Sequence, residues 1–154
     1  MNLFETFMGW PLHPLALHAP VVLVPLLVLA SLTYALVPRL RGRVGWVAVL
    51  LALAAPLSAL VAKLSGDAFR ARIARLGTTP QILAKVDGHR SLGTITVYVV
   101  AALGLVVLAL VLLKNLPRAV SVVLVIATVG LSAASAYYVY RTGDSGAHIV
   151  WTGY

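Results

Sequence analysis

Cysteine is absent from the 154-residue chain. Disulfides, thiolate-held iron–sulfur clusters and Cys-based zinc sites are therefore excluded within it, and the redox compartment is left open. Charge is nearly as scarce. Only 10% of residues are Asp, Glu, Lys or Arg, and just four are acidic. A soluble domain of this size carries far more, because its surface must be solvated by water. Catalytic signatures are also missing: there is no nucleophile elbow, phosphate loop, paired carboxylates or metalloprotease helix, so nothing points to an enzyme. Residues 1–10 hold Glu5 but no Lys or Arg. A secretory signal needs a positive n-region, so the first apolar run is expected to be retained.

What is present is apolar. Hydrophobic residues make up 61% of the chain and the mean hydropathy is +0.99, the composition of an integral membrane protein. Four runs are long enough to cross about 30 Å of hydrocarbon as helices: about 15–37, 44–64, 91–113 and 119–140. Backbone groups in lipid must pair internally, and the alternating polarity of a β-barrel strand is lacking, so the spans are helices. The expected fold is all-α, a single four-span domain over 1–154 in which two transmembrane hairpins are joined by a long interfacial amphipathic connection. In that connection, 65–90, Phe69, Ile73 and Leu76 fall on one helical stripe and Arg70, Arg72 and Arg75 toward the other side. Gly77 should stop this helix, and Thr79-Pro80 should start the next, running through His89 into the third span.

Ala48, Ala52, Ala55, Ala59 and Ala62, together with the pair Gly130 and Ala134, mark expected packing faces. Internal similarity between the two hairpins is slight. The net charge of +8 suits basic loops at anionic headgroups rather than nucleic acid, since no Lys/Arg patch is interleaved with aromatics. The bilayer is thus the expected partner. The short turns carry Arg39, Arg41, Arg43, Lys114 and Arg118 with no acid. By basic density they are cytoplasmic, which puts both termini and the central connection on the extracytoplasmic side.

That side holds all four histidines: His13, His18, His89 and His148. Imidazole is well suited to hold a metal or haem iron near neutral pH. Five residues of helix turn by about 140°, so His13 and His18 cannot share a face. The deeper His18 is expected to point inward and His13 to lie at the surface. Glycines at 143 and 146 are expected to turn the tail back, so that His148 caps the site and Trp151 and Tyr154 sit at the interface. Facing imidazoles from His18 and His89 would ligate haem b axially. Alternatively, His18, His89 and His148 with a carboxylate would hold zinc or another transition metal. Asp67 or Asp87 would fix an imidazole tautomer, and Tyr138 is a further outer partner. The competing reading is a cofactor-free structural or assembly subunit of a larger membrane complex, with interfacial histidines and small-residue stripes serving only to pack helices.

The segment Gly9-Trp10-Pro11-Leu12-His13-Pro14-Leu15-Ala16-Leu17-His18-Ala19-Pro20 resembles the start of a bacterial family of small four-span membrane proteins, domain of unknown function 2231. Gly66 matches its glycine at the end of span two, His89 and Gly93 its His and Gly at span three, and Gly143 and Gly146 its glycine-rich segment after span four. The family often has an acid just before the third-span His; here Asp87 stands two positions upstream. The resemblance implies the four-span fold and a bacterial inner membrane. Fusion of some relatives to a Rieske domain implies a redox-linked module, with a membrane electron-transfer complex or Rieske-type partner. A homo-oligomer is a further possibility for assembly.

Overall fold

The structure, a computed structural model, describes residues 4–151. Tyr154 lies outside them. The chain enters through a short antiparallel hairpin, β1 (Thr6–Phe7) and β2 (Trp10–Pro11). Its two turn residues, Met8 and Gly9, both have positive φ, the twist that a two-residue hairpin needs. Helix α1 (Leu12–Ala16) follows at once and α2 (His18–Leu36) continues it past Leu17. A single 3-10 turn, Pro38–Leu40, leads to α3 (Arg41–Arg75). Helices α4 (Pro80–Leu112) and α5 (Arg118–Trp151) complete the bundle. All four long elements are apolar enough to cross a bilayer.

Each helix packs on two neighbours: α2 on α3 and α5, α4 on α3 and α5. The pairs α2/α4 and α3/α5 therefore face each other diagonally. The core is built from Val24 and Leu27 of α2, Val100, Leu103 and Val107 of α4, and the alanine stripe of α3. That stripe is buried throughout, from Ala48 to Ala62. Most large side chains outside it, such as Leu29, Trp46, Leu105 and Ile126, are exposed, which is the surface a bilayer solvates.

Of the expected small pair on α5, Ala134 is half-buried but Gly130 does not pack. Gly130 is exposed and a methyl there would touch nothing. The close approach is made instead by Gly104 of α4, where an added Cβ would stand 2.5 Å from the carbonyl oxygen of Ala52. Without a hydrophobic effect between helices in lipid, such backbone proximity is what packing energy requires.

The central connection also differs from expectation. No separate helix lies along the interface: α3 runs unbroken to Arg75, and α4 begins at Pro80. Gly77, at φ 85°, ends α3, and Thr79, extended, precedes Pro80. Gly88 does not interrupt α4. A 35-residue helix is roughly 50 Å long, well beyond the hydrocarbon thickness, so the charged ends of α3 and α4 project beyond the apolar spans. They stay side by side because their charges pair across the two helices: Arg70 of α3 with Asp87 of α4 at 2.8 Å and Asp67 of α3 with Arg90 of α4 at 2.9 Å. The tail likewise does not fold back, because α5 passes through Gly143 and Gly146 as continuous helix to Trp151.

These contacts predict opposite outcomes for two glycines. Gly104→Ala should destabilise the bundle in detergent by about 1–3 kcal/mol, because the methyl meets backbone rather than a movable side chain. Gly130→Ala should stay within about 0.5 kcal/mol of wild type. Thermal or denaturant unfolding of the two purified variants compares them directly.

Candidate functional site

Counting back from the buried positions Leu27 and Val24 along the inner face of α2 in steps of three or four leads through Pro20 and Leu17 to His13. His13 therefore points into the bundle and His18 is exposed, the reverse of the expectation. The reason is the early helix start: the hairpin delivers the chain into α1 at Leu12, so His13 already lies on the helix that carries the core stripe.

Across the bundle on α4, His89 faces the same space. The two rings are 6.2 Å apart between centroids, with an interplanar angle of 70°. They border a cavity of about 470 Å³ whose wall is mostly apolar and whose rim includes Lys63, Asp67 and Arg90. Phe69 stacks on His13 at 6.2 Å.

The hydrogen bonds of each ring define its tautomer. Nδ1–H of His13 donates to the Ala62 carbonyl at 3.0 Å, with Ser65 Oγ at 3.3 Å. A carbonyl only accepts, so Nδ1 carries the proton and Nε2 keeps its lone pair. His89 Nδ1 lies 2.9 Å from Ser145 Oγ, and that hydroxyl donates its own proton to the Thr142 carbonyl at 2.9 Å. Ser145 is thereby left to accept, so Nδ1 of His89 is also the protonated nitrogen. Both imidazoles stand as neutral bases, and neither Nε2 has a hydrogen bond among the described residues. A ligating histidine has the same arrangement, its other nitrogen donating to a carbonyl or hydroxyl that fixes the ring.

The other expected site residues are placed differently. His148 is exposed on α5 and engages Asp144 one turn back, with its Nδ1 3.4 Å from the carboxylate. It does not cap the cavity, because the helix that carries it does not turn. Asp67 and Asp87 do not hold the imidazoles. Asp67 bonds Lys63 and Arg90, and Asp87 bonds Arg70 through two nitrogens and Arg90 through a third. Tyr138 turns its ring against Tyr137 at 5.2 Å, outside the cavity wall, and only its carbonyl accepts a bond from Thr96. The three-imidazole set with a carboxylate is not assembled: no group of three or more His, Cys, Asp or Glu is gathered to hold an ion among the described residues.

Sequence reasoning missed the seats under the rings. Gly66 lies against His13, where a methyl would be 3.0 Å from Cε1, and Gly146 against His89, where the distance would be 3.1 Å. The signal was the repeated Ser-Gly dipeptide, 65–66 and 145–146, one in the second helix of each hairpin.

The carboxylates at the rim are strongly ionised. The hydrogen bond from Arg70, then that from Arg90, hold Asp87 down to about 2. Burial raises the Asp67 carboxyl, but its bonds to Lys63 and Arg90 outweigh this and leave it below its ordinary value.

A family model described as predicted membrane protein, DUF2231, matches residues 9–153. The chain belongs to that family. No curated protein and no solved structure matches it.

Because both carboxyls are depressed in the folded state, the pairing between α3 and α4 is complete above the ordinary carboxylate range, near pH 4. It should be lost as pH falls from about 4 toward about 2, where Asp87 takes its proton. Amide hydrogen exchange across 65–90 should rise through that window, and Asp87→Asn should show the faster exchange already at neutral pH.

Proposed function

We infer that this membrane protein is a redox-linked cofactor module in which His13 and His89 offer Nε2 to one metal centre, haem iron or a single transition ion, at the mouth of the bundle. The observation that carries the reading is the matched tautomer: two neutral imidazoles border one apolar cavity, each anchored through Nδ1–H. The two rings stand 6.2 Å apart between centroids, so both could hold one centre placed in the cavity between them.

The donor set also argues for the kind of centre. Two nitrogens suit haem iron, whose remaining ligands belong to the porphyrin, or an ion that completes its shell from outside the protein. Haem would place apolar surface in the cavity and carboxylates toward the cations Lys63 and Arg90 on its rim. Such a centre supplies one-electron chemistry when bound. The protein's part is to hold the two bases, to exclude water with its apolar wall, and to keep the centre at the membrane boundary.

On the density of basic residues in the short turns, the site lies at the extracytoplasmic face of a bacterial inner membrane. A membrane electron-transfer complex with a Rieske-type component is the corresponding partner.

Protein purified in mild detergent from cells supplied with haem and transition metals should show either a Soret band or near-stoichiometric metal. His13→Ala and His89→Ala should each lose it, while His18→Ala and His148→Ala keep it. A colourless, metal-free wild-type preparation would defeat the proposal.

A further inference from the structure

The two hairpins, slight as their similarity in sequence is, place corresponding positions in corresponding places. One step in numbering carries His13 to His89, Leu17 to Gly93 and Pro20 to Thr96, all of them walls of the cavity. The same step carries Val24 to Val100 and Leu27 to Leu103, all fully buried. For the second helices, another single step carries Ala62 to Thr142, Gly66 to Gly146 and Phe69 to Ile149, again all walls of the cavity. Deeper in the bundle it carries buried Ala48, Ala52 and Ala55 to buried Thr128, Ser132 and Ser135.

Local chemistry follows the same correspondence. Ser65 Oγ donates to the carbonyl three residues back and lies beside Nδ1 of His13. Ser145 Oγ donates to the carbonyl three residues back and lies beside Nδ1 of His89. In each case the next residue is the glycine on which the ring rests.

We propose that the site is a duplicated half-site, in which each hairpin seats one imidazole of its first helix on the Ser-Gly pair of its second. The two rings are then related by a pseudo-two-fold axis running along the bundle between diagonal helices, the arrangement of parallel membrane repeats. Ser65 and Ser145, with Gly66 and Gly146, are positioning residues. The glycines let each ring approach the helix backbone. Ser145, its own proton already committed, accepts from Nδ1–H of His89, and the Ala62 carbonyl, with Ser65 Oγ beside it at 3.3 Å, accepts from His13. Side-chain size forces the choice of glycine, since a methyl at either position would crowd the ring edge.

The seats exist whether or not anything occupies the cavity. The cofactor reading enters only in naming the ligand class that two equivalent donors would take: one whose bonding centre lies on the axis, with two equivalent nitrogen bonds.

The test uses full-length protein without cofactor. In ¹⁵N-histidine spectra, the rings of His13 and His89 should both be in the Nδ1–H tautomer. Gly66→Ala should release only His13, and Gly146→Ala only His89. Melting temperatures give a second measure that does not depend on assigning resonances. Gly66→Ala should lower the midpoint by roughly 2–6 °C in wild type but by little in a His13→Ala background. Gly146→Ala should behave in the same way with His89→Ala, and the crossed pairs should be additive. Equal losses in all backgrounds, or one glycine variant disturbing both rings alike, would overturn the duplicated seat. Intact seats in a protein that takes up neither haem nor metal would leave this proposal standing and remove the cofactor reading alone.

Discussion

An imidazole at the boundary of a membrane bundle keeps one orientation only if a neighbouring helix offers an acceptor for Nδ1–H. Helix carbonyls are normally consumed by the i to i−4 ladder, so the acceptor must be a second lone pair on a carbonyl or a side-chain hydroxyl. Both sources are used here. Ala62 supplies a carbonyl that also takes the Ser65 hydroxyl, and Ser145 supplies its oxygen after donating to Thr142. Each bond requires the ring to lie almost on the helix surface, which is why a glycine follows each serine. The tautomers and the cavity between the rings follow from this approach. Net hydrogen-bond energies of about 1 kcal/mol are too small to hold the bundle together, but they suffice to choose between two ring tautomers of nearly equal energy.

The fold was legible in the sequence because the bilayer simplifies the problem. Twenty apolar residues with no charge have essentially one backbone solution in lipid, and the alanine stripe of α3 marked its packing face. What the apolar runs did not disclose is where helices end once they leave the hydrocarbon. The 65–76 segment has the pattern of an interfacial helix, yet Arg70 and Asp67 find partners on α4 and Arg75 pairs with Glu5, so it continues α3 upward. Gly143 and Gly146 likewise read as a turn, but in a continuous helix they serve as contact surface.

The site was legible in part. His89 lines the cavity together with an imidazole from the first crossing. The partner on the first crossing was mistaken because depth was used to choose between His13 and His18. Helical phase was the better guide: Pro20, Val24 and Leu27 share a face with His13 and not with His18. The carboxylates drew attention as tautomer-setting groups, but each is bonded by two cations, Asp67 by Lys63 and Arg90 and Asp87 by Arg70 and Arg90, and is committed to them. The serines that do the work look, in sequence, like any other hydroxyl in a membrane span.

The symmetry between the hairpins is broken outside the seats, and the break shows how the seams of the bundle differ. The α3/α4 seam closes through backbone contact at Gly104 and Ala52 and through the ion pairs Arg70–Asp87 and Arg90–Asp67. The equivalent α2/α5 seam has Ser132 where α3 has Ala52, and Ser132 meets Ser31 at 3.2 Å. Thr96 meets Thr142 at 2.8 Å across α4/α5. Hydroxyl pairs between membrane helices contribute about 0.6 kcal/mol on average, less than the packing available to a glycine that lets two backbones touch. The α2/α5 seam is therefore the weaker of the two, held by one polar pair where its counterpart has close packing and charge. Any opening of the cavity that does not tear the seats apart has least to overcome along that seam, because His13 is anchored to α3 and His89 to α5, and neither anchor crosses from α2 to α5.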